Sequence, residues 1–225
     1  MIHGRNLEDY IAHCWQFWDG TKEGWLKNMS ENNKVRKSRR INGYLCNPKY
    51  PFMYASIDRL MNINTGVNLL TGSAIESEVP IECKQLSYFA AKKWEGDFPP
   101  YYVTQLLHYM IVLEENYGEF AVLKDGNKFE VYPVERNASL CERIIEENRV
   151  FWQERVLPIR ALMAQGADQM EIQAAIQRHE PDPDTTEDYE KFMKENWQKQ
   201  FKKVIGTRPI LQAAIDLEII SNTRS

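Results

Sequence analysis

The chain is poor in cysteine and histidine. Its four cysteines in 225 residues, Cys14, Cys46, Cys83 and Cys141, form no C-x-x-C pair. That spacing excludes a zinc ribbon or an iron–sulfur framework and reads as free thiols in a reducing cytosol. Of the four histidines, His3, His13 and His179 show no metal-ligand spacing. His108 falls in an apolar helical pattern and reads as a packed or hydrogen-bonded residue. No run approaches the ~18 apolar residues of a membrane span. The opening "MIHGRNLEDY" lacks a signal-peptide core. Neither sign of charge dominates: 28 Lys and Arg stand against 32 Asp and Glu, a net −4. That balance excludes a generic polyanion-coating surface but leaves room for a local basic one. No internal repeat is present.

What is there is enough apolar residue for a core, at 43% hydrophobic and 12% aromatic. Residues 5–18 predict a helix stopped near Gly20, with Leu7, Ile11, Cys14 and Trp15 on one face. Residues 20–42 read as polar and irregular. Residues 50–63 read as a strand, "NTG" at 64–66 as a turn, and "EVPIECK" as a second strand. Residues 85–98 read as a loop. Pro99 and Pro100 suit the start of the helix "YYVTQLLHYMIVLEEN". A hairpin follows, turning at Asp125-Gly126. From Asn137 the pattern is helical. Pro158 predicts a kink or a division, and an acidic, proline-rich linker at 179–191 precedes further helix to about residue 219. Strands cluster in 50–135 and helices in 137–225. This predicts an α/β or α+β core over residues 1–136 and a helical region over 137–225.

Within "VPIECKQLSYF", Glu82 and Lys84 point to one face, about 6–7 Å apart along a strand, while Val79, Ile81 and Cys83 point to the other. This is either a surface ion pair on a half-buried sheet or a carboxylate and an ammonium aimed at a common target. Asp58, in "ASIDRL", lies about one hairpin earlier. Two carboxylates from neighbouring strands can meet at a sheet edge, and Mg²⁺ needs no more than one or two of them. A lysine two residues on can orient a water and offset charge developing at a phosphate. On the following helix Gln105 and Tyr109 are four apart and share a face, with Tyr101 and His108 beside them. Plain packing does not ask for Gln105 and Tyr109.

The ordered set "SID", 23 residues, "ECK" and then "QLLHYM" resembles the PD-(D/E)xK nuclease superfamily, specifically the lambda-exonuclease/YqaJ-type viral recombinase group. The resemblance implies a restriction-endonuclease-like mixed sheet flanked by helices. It implies Asp58, Glu82 and the Cys83 carbonyl as metal ligands, with Glu8 supporting the site from an earlier helix. Lys84 would position the attacking water. Gln105 and Tyr109 would hold the lysine, the water or a phosphate. The implied cofactor is Mg²⁺, with Mn²⁺ as the alternative ion. The implied partners are double-stranded DNA ends, a single-strand annealing protein and, as a ring-shaped trimer, further copies of the chain, in the cytosol of a bacterium or phage-infected host. Two departures stand out. The Pro and Gly that often flank the family's aspartate are Ile57 and Arg59 here. No segment that would contact the DNA end is recognisable before the helix carrying Glu8, which implies either a fragment or a different way of recognising an end.

The basic stretch holds Lys34, Arg36, Lys37, Arg39 and Arg40, with Trp25 upstream. It is either a solvated loop or a track for a phosphate backbone, and Lys92 and Lys93, next to Trp94, read the same way. The enzyme reading is a Mg²⁺-dependent 5′→3′ exonuclease. Its alternatives are an endonuclease of the same superfamily and a non-catalytic DNA-binding or assembly protein on a degenerate nuclease fold.

Overall fold

The structure is a computed structural model that describes residues 2–87 and 100–179. Helix α1 (Ile2–Trp15) buries Ile11, Cys14 and Trp15, which recur at helical spacing, against the sheet. It ends a turn earlier than the sequence predicts, in successive turns through Trp18. The stretch expected to be irregular then contains a second helix, α2 (Lys22–Ser30). Thr21 caps it by accepting the Gly24 N–H at 3.0 Å. Trp25 and Asn28 are its buried residues, and the Trp25 ring stacks on Phe129 at 5.4 Å.

Among the described residues seven strands follow: β1 (Ser38–Arg39), β2 (Leu45–Cys46), β3 (Tyr54–Ala55), β4 (Arg59–Met61), β5 (Val79–Leu86), β6 (Tyr117–Lys124) and β7 (Lys128–Glu135). Five form one mixed sheet in the order β1-β4-β5-β6-β7; β2 and β3 make a separate small ladder. Only β5 and β6 are parallel within the five. Parallel neighbours need a crossover, and helix α3 (Pro100–Leu113) lies between them in sequence. The single strand expected over 50–63 is two short ones. Asn47 is the reason for the late start: its Oδ1 accepts the N–H of Lys49 at 2.7 Å and of Tyr50 at 3.2 Å, while its Nδ2 donates to the Ile111 carbonyl at 2.7 Å. That fixes a turn against α3 where extended chain was expected.

The sheet is covered on both faces. Leu106, Leu107 and Met110 of α3 pack with Leu86, Phe120, Val122 and Val134 on one side. Ile11 and Trp15 of α1 and Trp25 of α2 pack with Ile81, Ala121, Leu123 and Val131 on the other. Fully burying each large apolar side chain contributes roughly 1.5–3 kcal/mol, so this double cover fixes β5 firmly between two cores. Asp125 and Gly126 turn the β6–β7 hairpin with φ of 50° and 72°, the positive values that turn centres require.

Helix α4 (Ala138–Phe151) is capped by Asn137, which accepts the Leu140 N–H at 3.0 Å. Its Leu140, Cys141 and Ile144 join the α3 side of the core. A π turn (Trp152–Val156) leads to α5 (Leu157–Ala164), and α6 (Gln169–His179) follows. Pro158 lies in the first turn of α5, where its missing N–H costs least, and the ladder widens into the π turn just before it. Most of the predicted acidic linker and all of the helix beyond it lie outside the described residues. Among the described residues no helix is long and apolar enough to cross a membrane.

Candidate active site

Strands β4 and β5 pair antiparallel with Arg59 opposite Ile81 and Met61 opposite Val79. Continuing that register one step brings Asp58 across from Glu82. The backbone closes the junction: the Cys83 N–H donates to Asp58 Oδ2 at 2.9 Å. Side chains alternate along β5, so Ile81 joins the core under α1 while Glu82 and Lys84 face α3. Two acidic residues 24 positions apart in the sequence thus share one spot at a strand junction.

The spot is electrostatically costly. Glu82 is 3% exposed, and its Oε2 is buried with no hydrogen-bond partner among the described residues. Burial first, and then the neighbouring Asp58 charge, push the Glu82 carboxyl up to about 7. Asp58 is raised in the same direction, again chiefly by burial and then by Glu8, with the Cys83 N–H opposing. A buried acceptor without a donor, next to a second carboxylate, is a donor set suited to a hard divalent cation. Among the described residues no three His, Cys, Asp or Glu side chains gather in ligating geometry. A magnesium ion does not require three, since carbonyl oxygens and waters complete its shell.

Lys84 is anchored from several sides. Its Nζ donates to Glu82 Oε1 and, at 3.1 Å, to Gln105 Oε1. It also lies 4.4 Å from the centre of the Tyr102 ring. Gln105 Nε2 in turn donates to the Tyr109 hydroxyl at 2.7 Å. Burial, followed by the Glu82 charge, holds that hydroxyl up at about 12, so it keeps its proton. The helical spacing of Gln105 and Tyr109 therefore forms a relay from α3 to the β5 lysine. His108, one residue before Tyr109, bonds through Nε2 to the Tyr54 carbonyl at 3.0 Å and is structural.

Glu8 enters from α1. Its Oε1 accepts from both Arg59 and Arg40, the latter at 2.8 Å. Arg59 is 5% exposed and also bonds Asp9 and the carbonyl of Asp58. It occupies the position where the family pattern often has glycine, and it ties α1 to the start of β4. Sequence reasoning gave it no role. The adjacent acids Glu8 and Asp9 on a helix otherwise buried on one face were the signal for a buried cation opposite. Glu8, Arg40 and Asp58 line one cleft of about 280 Å³.

Residues 1–116 match the YqaJ-like viral recombinase domain. The chain belongs to that family. It is a lambda-exonuclease-like branch of the PD-(D/E)xK superfamily, and its members are viral recombinase and exonuclease-like domains. The chain is also 32% identical over 171 residues to the uncharacterized protein YqaJ of Bacillus subtilis (strain 168), covering 75% of this chain and 45% of that protein. It thus spans about half the length of the curated relative it matches.

In this YqaJ-like domain the basic stretch is not one surface. Arg36 is 2% exposed and ion-paired at 2.7 Å with fully buried Glu119, so it is a core residue and not a DNA contact. The same Glu119 accepts from Trp15 Nε1 at 2.6 Å and from the Tyr117 hydroxyl at 2.5 Å. Arg39 holds Glu78 through two bonds of 2.8 and 2.7 Å. Lys34 and Lys37 are exposed, with Lys34 6.0 Å from the Phe17 ring centre. Lys92 and Lys93 lie outside the described residues.

Proposed function

We propose that this domain is a divalent-metal-dependent deoxyribonuclease that hydrolyses DNA phosphodiester bonds, acting on double-strand ends as a 5′→3′ exonuclease in phage-type recombination. One observation carries the hydrolytic reading. The buried, donor-free Oε2 of Glu82 sits beside Asp58 while Lys84, two residues on, is held from α3. A plain surface ion pair would need neither the second carboxylate nor the Gln105–Tyr109 relay. Action on ends, and its polarity, rest on membership of the family.

Asp58, Glu82 and the Cys83 carbonyl would hold the cation, Mg²⁺ or Mn²⁺, with Glu8 nearby in the cleft. Such an ion supplies Lewis-acid stabilisation of phosphoryl oxygens and lowers the pKa of a bound water. The chain's own residues do the rest. Lys84 has three N–H groups. Among the described residues Glu82 and Gln105 accept two and the Tyr102 ring faces the ammonium, and the third N–H would orient an attacking water or meet a phosphoryl oxygen as negative charge develops. Gln105 prevents the ammonium from folding wholly onto Glu82. Tyr109 keeps the Gln105 amide in the orientation that presents its carbonyl to the lysine.

The test is digestion of linear and covalently closed circular duplex of the same sequence with Mg²⁺. Degradation of the linear form alone supports the exonuclease. Efficient nicking of the circle moves the protein to endonuclease action, and no cleavage of either form points to a non-catalytic DNA-binding protein.

A further inference from the structure

Two guanidiniums share Glu8, and they differ in how firmly they are placed. Arg59 is buried and satisfies Glu8, Asp9 and the Asp58 carbonyl together. The Arg40 side chain is 40% exposed, and its partners are the same two acids, Glu8 at 2.8 Å and Asp9 at 3.5 Å. Removing Arg40 from both leaves each acid still paired with Arg59. Arg40 is therefore the replaceable partner of the two.

Its surroundings suit a different one. Arg40 lines the cleft that reaches Asp58, together with Asn42, Gly43 and Ser56. Gly43 has φ +129° and open space where a side chain would begin, so a ligand can come close to its backbone. An exposed ion pair between side chains contributes little. A guanidinium facing a phosphate makes a charge-assisted and often bidentate bond that is considerably stronger. Of the basic residues between Lys34 and Arg40, Arg36 is buried and Arg39 is held by Glu78, and the cleft lining includes neither of them nor Lys34 and Lys37.

We infer that Arg40 is a substrate-binding residue that exchanges Glu8 for a DNA backbone phosphate when the duplex enters the cleft beside Asp58. The inference rests on the nuclease reading for the identity of the substrate. In the free protein Arg40 offsets part of the negative charge of Glu8, Asp9 and Asp58. In the complex it holds the strand while Arg59 keeps Glu8 and Asp9 paired.

The experiment uses the full chain and a fluorescently labelled linear duplex, titrated at several salt concentrations with Ca²⁺ in place of Mg²⁺ so that the DNA stays intact. Arg40→Ala is expected to weaken binding about tenfold, the scale of one lost charged hydrogen bond. It is also expected to reduce the slope of log K against log salt by about one unit. Its thermal melt should match wild type, because Arg59 still holds Glu8. Arg40→Gln repeats the titration with the side-chain length kept, and Arg40→Lys should recover part of the affinity. Lys27→Ala, on α2 and outside the cleft lining, should bind as wild type does. With Mg²⁺, Arg40→Ala should raise KM more than it lowers kcat. Unchanged affinity and slope in Arg40→Ala and Arg40→Gln would overturn the assignment. A wild-type protein that binds the duplex but does not cleave it in Mg²⁺ would instead overturn the nuclease reading, and the binding titration would still decide Arg40.

Discussion

Gln105 accepts a hydrogen bond from Lys84 at 3.1 Å, and through it helix α3 sets where the β5 ammonium points. Gln105→Ala leaves Lys84 with Glu82 and the face of the Tyr102 ring. A displacement of about an ångström at a positioned group costs on the order of 10²-fold in rate. Steady-state kinetics should therefore show kcat falling roughly 10- to 100-fold with KM little changed. Tyr109→Phe, which acts through Gln105, should cost less. A Gln105→Ala enzyme with wild-type kcat would show that the relay is only packing.

Without metal, the crowded carboxylates should make stability depend on pH. Glu82 is raised from its ordinary 4.5 to about 7 by burial and then by Asp58. A raised carboxyl binds more protons folded than unfolded, so its contribution is complete below about pH 4.5 and is lost as pH rises through about 7. In EDTA the melting temperature should fall between about pH 5 and pH 8. Glu82→Gln should flatten that fall, and Mg²⁺ should raise the melting temperature most at the alkaline end, where both carboxylates are ionised. A pH-independent melting temperature in EDTA would show that the pair is not strained.

The Arg36–Glu119 pair is a structural element. Glu119→Ala leaves a buried guanidinium and frees the Trp15 and Tyr117 donors, and breaking one side of such a pair costs about 3–5 kcal/mol. Urea unfolding should read that loss. The double variant Arg36→Met/Glu119→Leu should recover only part of it: no charge is left unpaired, but the Trp15 and Tyr117 donors still lack an acceptor. Additive losses in the two single variants would show that the two charges do not depend on each other.

The sequence carried the strand–helix–hairpin order of residues 79–135 well, because each element there has one clear period and the turn residues Asp125 and Gly126 mark its boundary. The shared face of Glu82 and Lys84 followed from alternation, while Asp58, on another strand, was brought to them by its place one hairpin earlier and by the family resemblance. Helix α2 was hidden by its charged exposed residues, although Thr21 and Trp25 carried the cap and the buried position. Arg36 shows the limit of reading charge from a string. In a run of five cations nothing local distinguishes the one whose counter-ion, Glu119, lies 83 residues away. Arg59 was opaque for the same reason: its partners Glu8 and Asp9 are 51 and 50 residues distant.

The most direct measurement is the rate of nucleotide release from a linear duplex in Mg²⁺ by wild type, Glu82→Gln and Lys84→Ala, each shown to be folded by circular dichroism. Wild type should degrade the duplex and stop on adding EDTA, and each variant should be slower by at least about 10²-fold, the scale of losing one preorganised electrostatic group. Wild-type rates in folded Lys84→Ala or Glu82→Gln would contradict the account at its centre.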